Sequence, residues 1–209
     1  RDGILRNVSF EVLTAAQQMT NGGEVIAVVF GQGNQDEAQQ LAQHGADKVY
    51  IATNEELNAY STDAFSQALT EVVQTVKPDV ILVGHTAMGR DLAPRVAARL
   101  GLGLISDCTG VEVNGEEIVF IRPVYAGKLF QKKKVKEGII FASIRPNNIV
   151  KGEPNAQRTA NVIETQVTIT DIFIDADCLF LWQSAFSRLI LIIFACDKIL
   201  CMEHPENDK

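Results

Sequence analysis

The chain has 209 residues and is 46% hydrophobic, enough for one domain with a substantial core. A formal net charge of -7 argues against a nucleic-acid partner, because neutralising phosphates requires a positive surface. Four cysteines (Cys108, Cys178, Cys196, Cys201), widely spaced and behind an N-terminus, RDGILRN, that is no targeting segment, fit a reducing cytoplasm better than a disulfide framework.

In chain order, Ser9 is a candidate cap for a helix carrying Val12, Leu13, Ala16 and Met19 on one stripe, stopped by Gly22 and Gly23. Glu24 to Phe30 (EVIAVVF) reads as a buried strand, Gln35 to His44 as a second helix ended by Gly45, and Lys48 to Ala52 as the next strand. A helix from Ser61 to Val76 places Phe65, Leu69, Val72 and Val76 on one face. The unbroken apolar run from Val80 to Val83 is that of a strand covered on both sides. Proline lacks an N–H and fits a helix best in its first turn, so Pro94 predicts a helix starting near Asp91, with Asp91 as N-cap and Gly101 as stop. Strands alternating with helical crossovers imply an α/β, Rossmann-like, mostly parallel sheet flanked by helices. An open sheet of this kind normally starts with a strand before its first helix, so the chain reads as truncated at its N-terminus.

After Gly110 the rhythm changes. Asn114-Gly115 is a strong hairpin signal between Val111 to Val113 and Ile118 to Ile121, giving the sheet an antiparallel extension. Further strand-like runs cover Val124 to Phe130, Lys134 to Ile144 and Val162 to Thr170, with a polar linker, RPNNIVKGEPNAQRT, between the last two.

Residues 172–209 form an atypical hydrophobic tail, and a frame-shifted, read-through or disordered terminus is the expectation. Leu189 to Phe194 (LILIIF) needs a cover. A transmembrane span over Cys178 to Cys196 is disfavoured by Gln183, Ser184, Ser187 and Arg188, a central arginine alone costing about 2.5 to 3.5 kcal/mol on insertion scales.

Several motifs have chemical and structural readings. Gly84 to Asp91 (GHTAMGRD) nearly matches a phosphate loop, but Arg90 stands for the lysine, and Asp91 would repel phosphate where a hydroxyl belongs. His85, Ser106, Asp107 and Cys108 invite comparison with a catalytic triad. With three histidines in the chain and no nucleophile elbow, a core role for Cys108 and a loop cap at Asp107 are favoured. Cys196, Cys201 and His204 supply three zinc-type ligands without a fourth. Lys132, Lys133, Lys134 and Lys136 read as the solvated guard of a sheet edge, with an acidic partner as the alternative. Arg122-Pro123 and Arg145-Pro146 place arginines in extended backbone at strand ends, where they can be presented to an adjoining domain or subunit. With Arg90 and Arg95 they form the candidate interface set; no catalytic, cofactor-binding or metal residue is expected.

The blocks GHTAMGRDLAPRVAARLGLGLISDCTG, IRPVYAGK, IRPN and DGILRNVSFEVLTAA, together covering Arg1 to Asp171, closely resemble the N-terminal domain of the electron transfer flavoprotein alpha subunit. The resemblance implies a heterodimer with a beta subunit that carries electrons from flavin dehydrogenases, such as the acyl-CoA dehydrogenases of fatty acid beta-oxidation, to a membrane quinone reductase through FAD. It implies an electron carrier rather than an enzyme, placed in the cytoplasm, or in the mitochondrial matrix if eukaryotic. In that family FAD sits mainly in a second, C-terminal domain with glycine-rich loops. After Gly152 this chain has no glycine, so it reads as a scaffold domain cut off before its cofactor domain and unable to bind FAD alone. The alternative is a stand-alone adenine-nucleotide-binding module of similar fold, its ligand at the C-terminal ends of the strands.

Overall fold

The computed structural model describes residues 5–20, 22–31, 35–115, 117–170 and, as backbone, 199–203. Four helices, α1 (Asn7–Met19), α2 (Gln35–Gln43), α3 (Thr62–Val76) and α4 (Ala87–Leu100), alternate with the strands β1 (Glu24–Phe30), β2 (Lys48–Thr53), β3 (Val80–Gly84) and β4 (Leu104–Cys108). Then come β5 (Gly110–Asn114), β6 (Glu117–Val124), β7 (Leu129–Lys133), β8 (Ile140–Ile144), β9 (Asn161–Gln166) and β10 (Ile199–Glu203). The main sheet has the order β4-β8-β3-β10-β1-β2-β9, and β5-β6-β7 form a separate antiparallel sheet.

Alternation along each central strand divides the core. Val25, Ala27 and Val29 of β1, with Val80 and Leu82 of β3, pack on the side of α1 and α2. Ile26, Val28 and Phe30, with Ile81 and Val83, pack on the side of α3 and α4. A parallel strand covered on both faces needs apolar residues at every position, which is why these runs lack the polar alternation of a half-exposed strand. The pairings β1–β2, β2–β9, β3–β8 and β4–β8 are all parallel, as the sequence predicts.

Several boundaries differ from expectation, and the strand expected over Val162 to Thr170 ends at Gln166 as β9. Helix α1 starts at Asn7, its N-cap Arg6 makes no side-chain cap bond, and Ser9 lies buried inside the helix. Helix α4 starts at Ala87, capped by Thr86, whose side chain accepts from the Gly89 amide. Pro94 therefore sits inside the helix, where only the bond to the Arg90 carbonyl is forfeited, and the Thr86 cap secures the turn before it. The expected strand over Val124 to Phe130 is broken by a turn at 125–128 between β6 and β7, and Lys134 to Ile139 precedes β8 without being strand. Asn114 ends β5 opposite Glu117, and Gly115 supplies the positive φ of 62° that the tight hairpin requires.

Two segments carry the chain across the sheet. The stretch between β8 and β9 is strapped over α1 and α2: Glu11 accepts from the Asn147 amide at 2.8 Å, Thr14 Oγ1 from the Gly152 amide at 2.8 Å, and the Gln43 carbonyl from the Asn155 amide at 2.9 Å. Strand β10 lies antiparallel between β1 and β3, opposite in direction to every other pairing of that sheet. The side chains of Cys201 and all of Cys178, Cys196, His204 and the run Leu189 to Phe194 lie outside the described residues, so the zinc-type and membrane readings fall there too.

Candidate functional site at the ends of strands β4, β6 and β8

The chemistry-bearing side chains gather where β8 ends and β4 bulges. Pairing of β4 with β8 shifts register between Ile105 and Cys108, and Asp107 in that bulge takes a positive φ of 65°. The bulge turns the Asp107 carboxylate to the Arg145 guanidinium just beyond β8. Arg145 Nε donates to Oδ1 at 2.7 Å and Nη2 to Oδ2 at 2.5 Å, a bidentate pair. The guanidinium holds the Asp107 carboxyl below its ordinary range against the opposing effect of burial, and Arg145 is raised in return.

Ser143, 1% exposed, links the neighbouring groups. Its Oγ accepts from the Asp107 amide at 3.1 Å and lies 3.0 Å from His85 Nδ1. His85 Nε2 is 3.6 Å from Asp107 Oδ1, yet burial, assisted by Arg90, Arg145 and Arg122, lowers the imidazole pKa below its ordinary value despite the carboxylate. The histidine is thus favoured neutral, with the aspartate committed to Arg145. His85 and Asp107 do approach each other, but at 3.6 Å they make no hydrogen bond, and the hydroxyl between them is Ser143 rather than Ser106. Its burial bars a substrate from it.

Cys108 is fully buried, its Sγ 3.5 Å from the Ile105 carbonyl, and burial pushes the thiol pKa up to about 12. It is the core hydrophobe expected, with no thiolate to offer. Arg122, near the end of β6, is brought alongside because the Thr109 amide and hydroxyl both bond the Ile121 carbonyl, at 2.8 and 3.3 Å. Arg122 Nε is buried and finds no hydrogen-bond partner among the described residues, an omission worth roughly 1 to 3 kcal/mol in general.

Asp107, Arg122, Arg145 and the turn Pro123 to Gly127 line an open cleft of about 590 Å³. Three of its walls are strained: Asp107, Tyr125 and Ala126 all have positive φ without being glycine. Tyr125, Leu129 and Phe130 at the same hairpin are 77%, 57% and 66% exposed. The other sequence-predicted arginines divide. Arg90 is exposed and acts on His85, whereas Arg95 donates to Asp63 of α3 at 3.2 Å. Asp91, expected to cap α4, instead accepts from Tyr60 Oη at 2.7 Å and from Thr62 Oγ1. The lysine run lies on and after β7, the edge of the small sheet, with Lys132 bonded to Glu112 at 2.6 Å and Lys134 to Glu117.

The near-phosphate loop is closed. A Cβ on Gly89 would fall 1.9 Å from the Gly84 carbonyl oxygen, and Thr86 takes the Gly89 and Arg90 amides through its hydroxyl and carbonyl. The glycine pair lets helix and strand touch each other and leaves no cradle for an anion. Among the described residues no group of three or more His, Cys, Asp or Glu could hold a metal, and no helix is long and apolar enough to cross a membrane.

The sequence profile of the electron transfer flavoprotein domain matches residues 1–170. The chain belongs to the electron transfer flavoprotein family. It is 45% identical over 172 residues to the electron transfer flavoprotein subunit alpha of Bacillus subtilis, covering 82% of this chain and 53% of that one. It is 41% identical over 146 residues to the same subunit of Syntrophomonas wolfei, covering 70% and 45%. A third relative, 39% identical over 121 residues and covering 57% of this chain and 33% of its own, is the acryloyl-CoA reductase electron transfer subunit beta of Anaerotignum propionicum. The chain spans about half the length of the alpha subunits it matches. Members of this family are named as carriers of electrons rather than as catalysts.

Proposed function

We propose that the chain forms the N-terminal domain of an electron transfer flavoprotein alpha subunit that pairs with a beta subunit. The complex would carry electrons from flavin dehydrogenases, those acting on acyl-CoA among them, to a quinone reductase. The observation that carries this reading is the 45% identity over 172 residues to a relative named as that subunit. A relative named as an electron transfer subunit of an acryloyl-CoA reductase supports an acyl-CoA enzyme as redox partner.

The loop at the start of α4 offers FAD no pyrophosphate cradle. Gly84 and Gly89, which open a helix as a pyrophosphate cradle would, are spent on contact with each other. FAD would supply one-electron storage to the complex, and its site lies outside residues 5–170 on this reading. The role of these residues is then to scaffold and to dock. The exposed Tyr125, Leu129 and Phe130 form an apolar rim suited to a subunit contact, with the β7 lysines beside it for an acidic neighbour.

Co-expression with a beta subunit of the family tests the pairing. A copurifying one-to-one complex is expected, weakened by Phe130→Asp, and independent elution of the two chains would overturn the proposal. Visible flavin absorption in a complex built from this chain would place the cofactor on it and refute the scaffold reading.

A further inference from the structure

The cleft between β4, β8 and the β6–β7 turn has features that a docking scaffold does not require. Two guanidiniums, Arg122 and Arg145, line it against one carboxylate, Asp107. That carboxylate is hydrogen-bonded by Arg145 Nε and Nη2, and Arg122 acts on it through charge alone, without a hydrogen bond to it. Arg90 adds positive potential nearby, as its effect on His85 shows, and the favoured neutral form of His85 adds no counter-charge. Arg122 also holds a buried Nε with no partner, and buried donors are normally satisfied. A volume of about 590 Å³ falls within the range of small-molecule sites.

We propose that this cleft is a binding subsite for the oxyanion of a small molecule, a phosphate or carboxylate group received by Arg122 with Arg145 as the second wall. The planar fork of a guanidinium matches both groups, and the excess positive charge inside a chain of net charge -7 selects for anions. Arg145 keeps its fork on Asp107 and contributes charge; Arg122 supplies the free donors. The site is separate from the loop at α4, where Thr86 takes the Gly89 and Arg90 amides.

The test is a titration of the full chain with inorganic phosphate and, separately, with succinate at constant ionic strength, following the backbone amide resonances of Ala126 and Gly127. Saturable shifts with at least one probe are expected, and the tighter of the two identifies the source as phosphate or carboxylate. Arg122→Gln should weaken the preferred probe about tenfold or more, as loss of a charged bidentate contact does. Arg122→Lys, which keeps the charge but not the fork, should fall between the two, and Arg95→Gln, a change at the Asp63 pair, should bind as the parent does. Thermal unfolding of each variant separates lost binding from lost fold. No saturable shift with either probe, or undiminished affinity in a folded Arg122→Gln chain, overturns the proposal.

Discussion

Arg145 grips Asp107 through two parallel hydrogen bonds, at 2.7 and 2.5 Å, across the bulge that β4 makes against β8. A carboxyl held below its ordinary value of 3.8 contributes stability above that pH and loses it as the pH falls through the lower folded value. Asp107→Asn should therefore unfold at lower urea than the parent near neutrality, with the gap closing at the acid end. Because the Arg145 side chain is 43% exposed, solvent screening limits the gap to about 1 kcal/mol. Urea midpoints from neutral to acid pH check this; a gap that stays constant would show that shape rather than charge accounts for the loss.

His85 acts in the same direction at a higher pH. Its imidazole pKa lies below 6.5 in the folded state because of burial, so the unfolded chain binds more protons just below that pH, and stability falls as the medium is acidified through it. His44 is lowered in the same direction, also by burial, so His85→Gln should flatten only part of the slope and the pair with His44→Gln more of it. Thermal midpoints on either side of pH 6.5 read the effect. An imidazole titration of His85 by NMR with its midpoint above 6.5 would contradict the stated direction.

Gly89→Ala should be among the most damaging small substitutions in the chain. Its Cβ would stand 1.9 Å from the backbone oxygen of Gly84, which cannot swing away as a side chain can. A loss of about 3 kcal/mol or more is expected from forced separation of α4 and β3. Gly103→Ala meets nothing within 4 Å and serves as the control, with a change within about 0.5 kcal/mol. Denaturant unfolding of the two variants side by side decides it.

Strand β10 supplies the neighbour of both β1 and β3, through the pairs Glu24–Glu203 to Val28–Ile199 on one side and Leu200–Leu82 to Met202–Val80 on the other. A chain ended at Thr170 would leave two central strands with open edges, and exposed edges pair with other chains. Lower urea resistance and concentration-dependent light scattering are expected. A monomeric chain with an unchanged midpoint would show that the strand contributes nothing to the fold.

Much of the fold was legible because burial leaves a local imprint. Val80 to Val83 and Val25 to Phe30 are apolar at every position, which only a strand covered on both sides requires, and the helix read from Ser61 to Val76 is α3, with Ser61 as its N-cap. Pro94 misled because its usual place at the first turn is a preference that a good cap upstream overrides: Thr86 holds the turn, and Asp91 is freed to bind Tyr60 and Thr62. Arg122 and Arg145, read from their Arg-Pro pairs as interface residues, both line the cleft. Nothing in the sequence marked Ser143, an ordinary small residue within an apolar strand.

By itself, then, the sequence determined the alternation of elements, the two-faced burial of the central strands, the hairpin and the family, since each is written in neighbouring residues or in ordered blocks. Only the tertiary structure decided that Asp107 meets Arg145, 38 residues away, that Ser143 stands between His85 and Asp107, and that β10 enters the sheet antiparallel. Periodicity reports which face of a segment is buried. It carries no record of strand order or of a bulge, and those are what bring distant side chains within bonding distance.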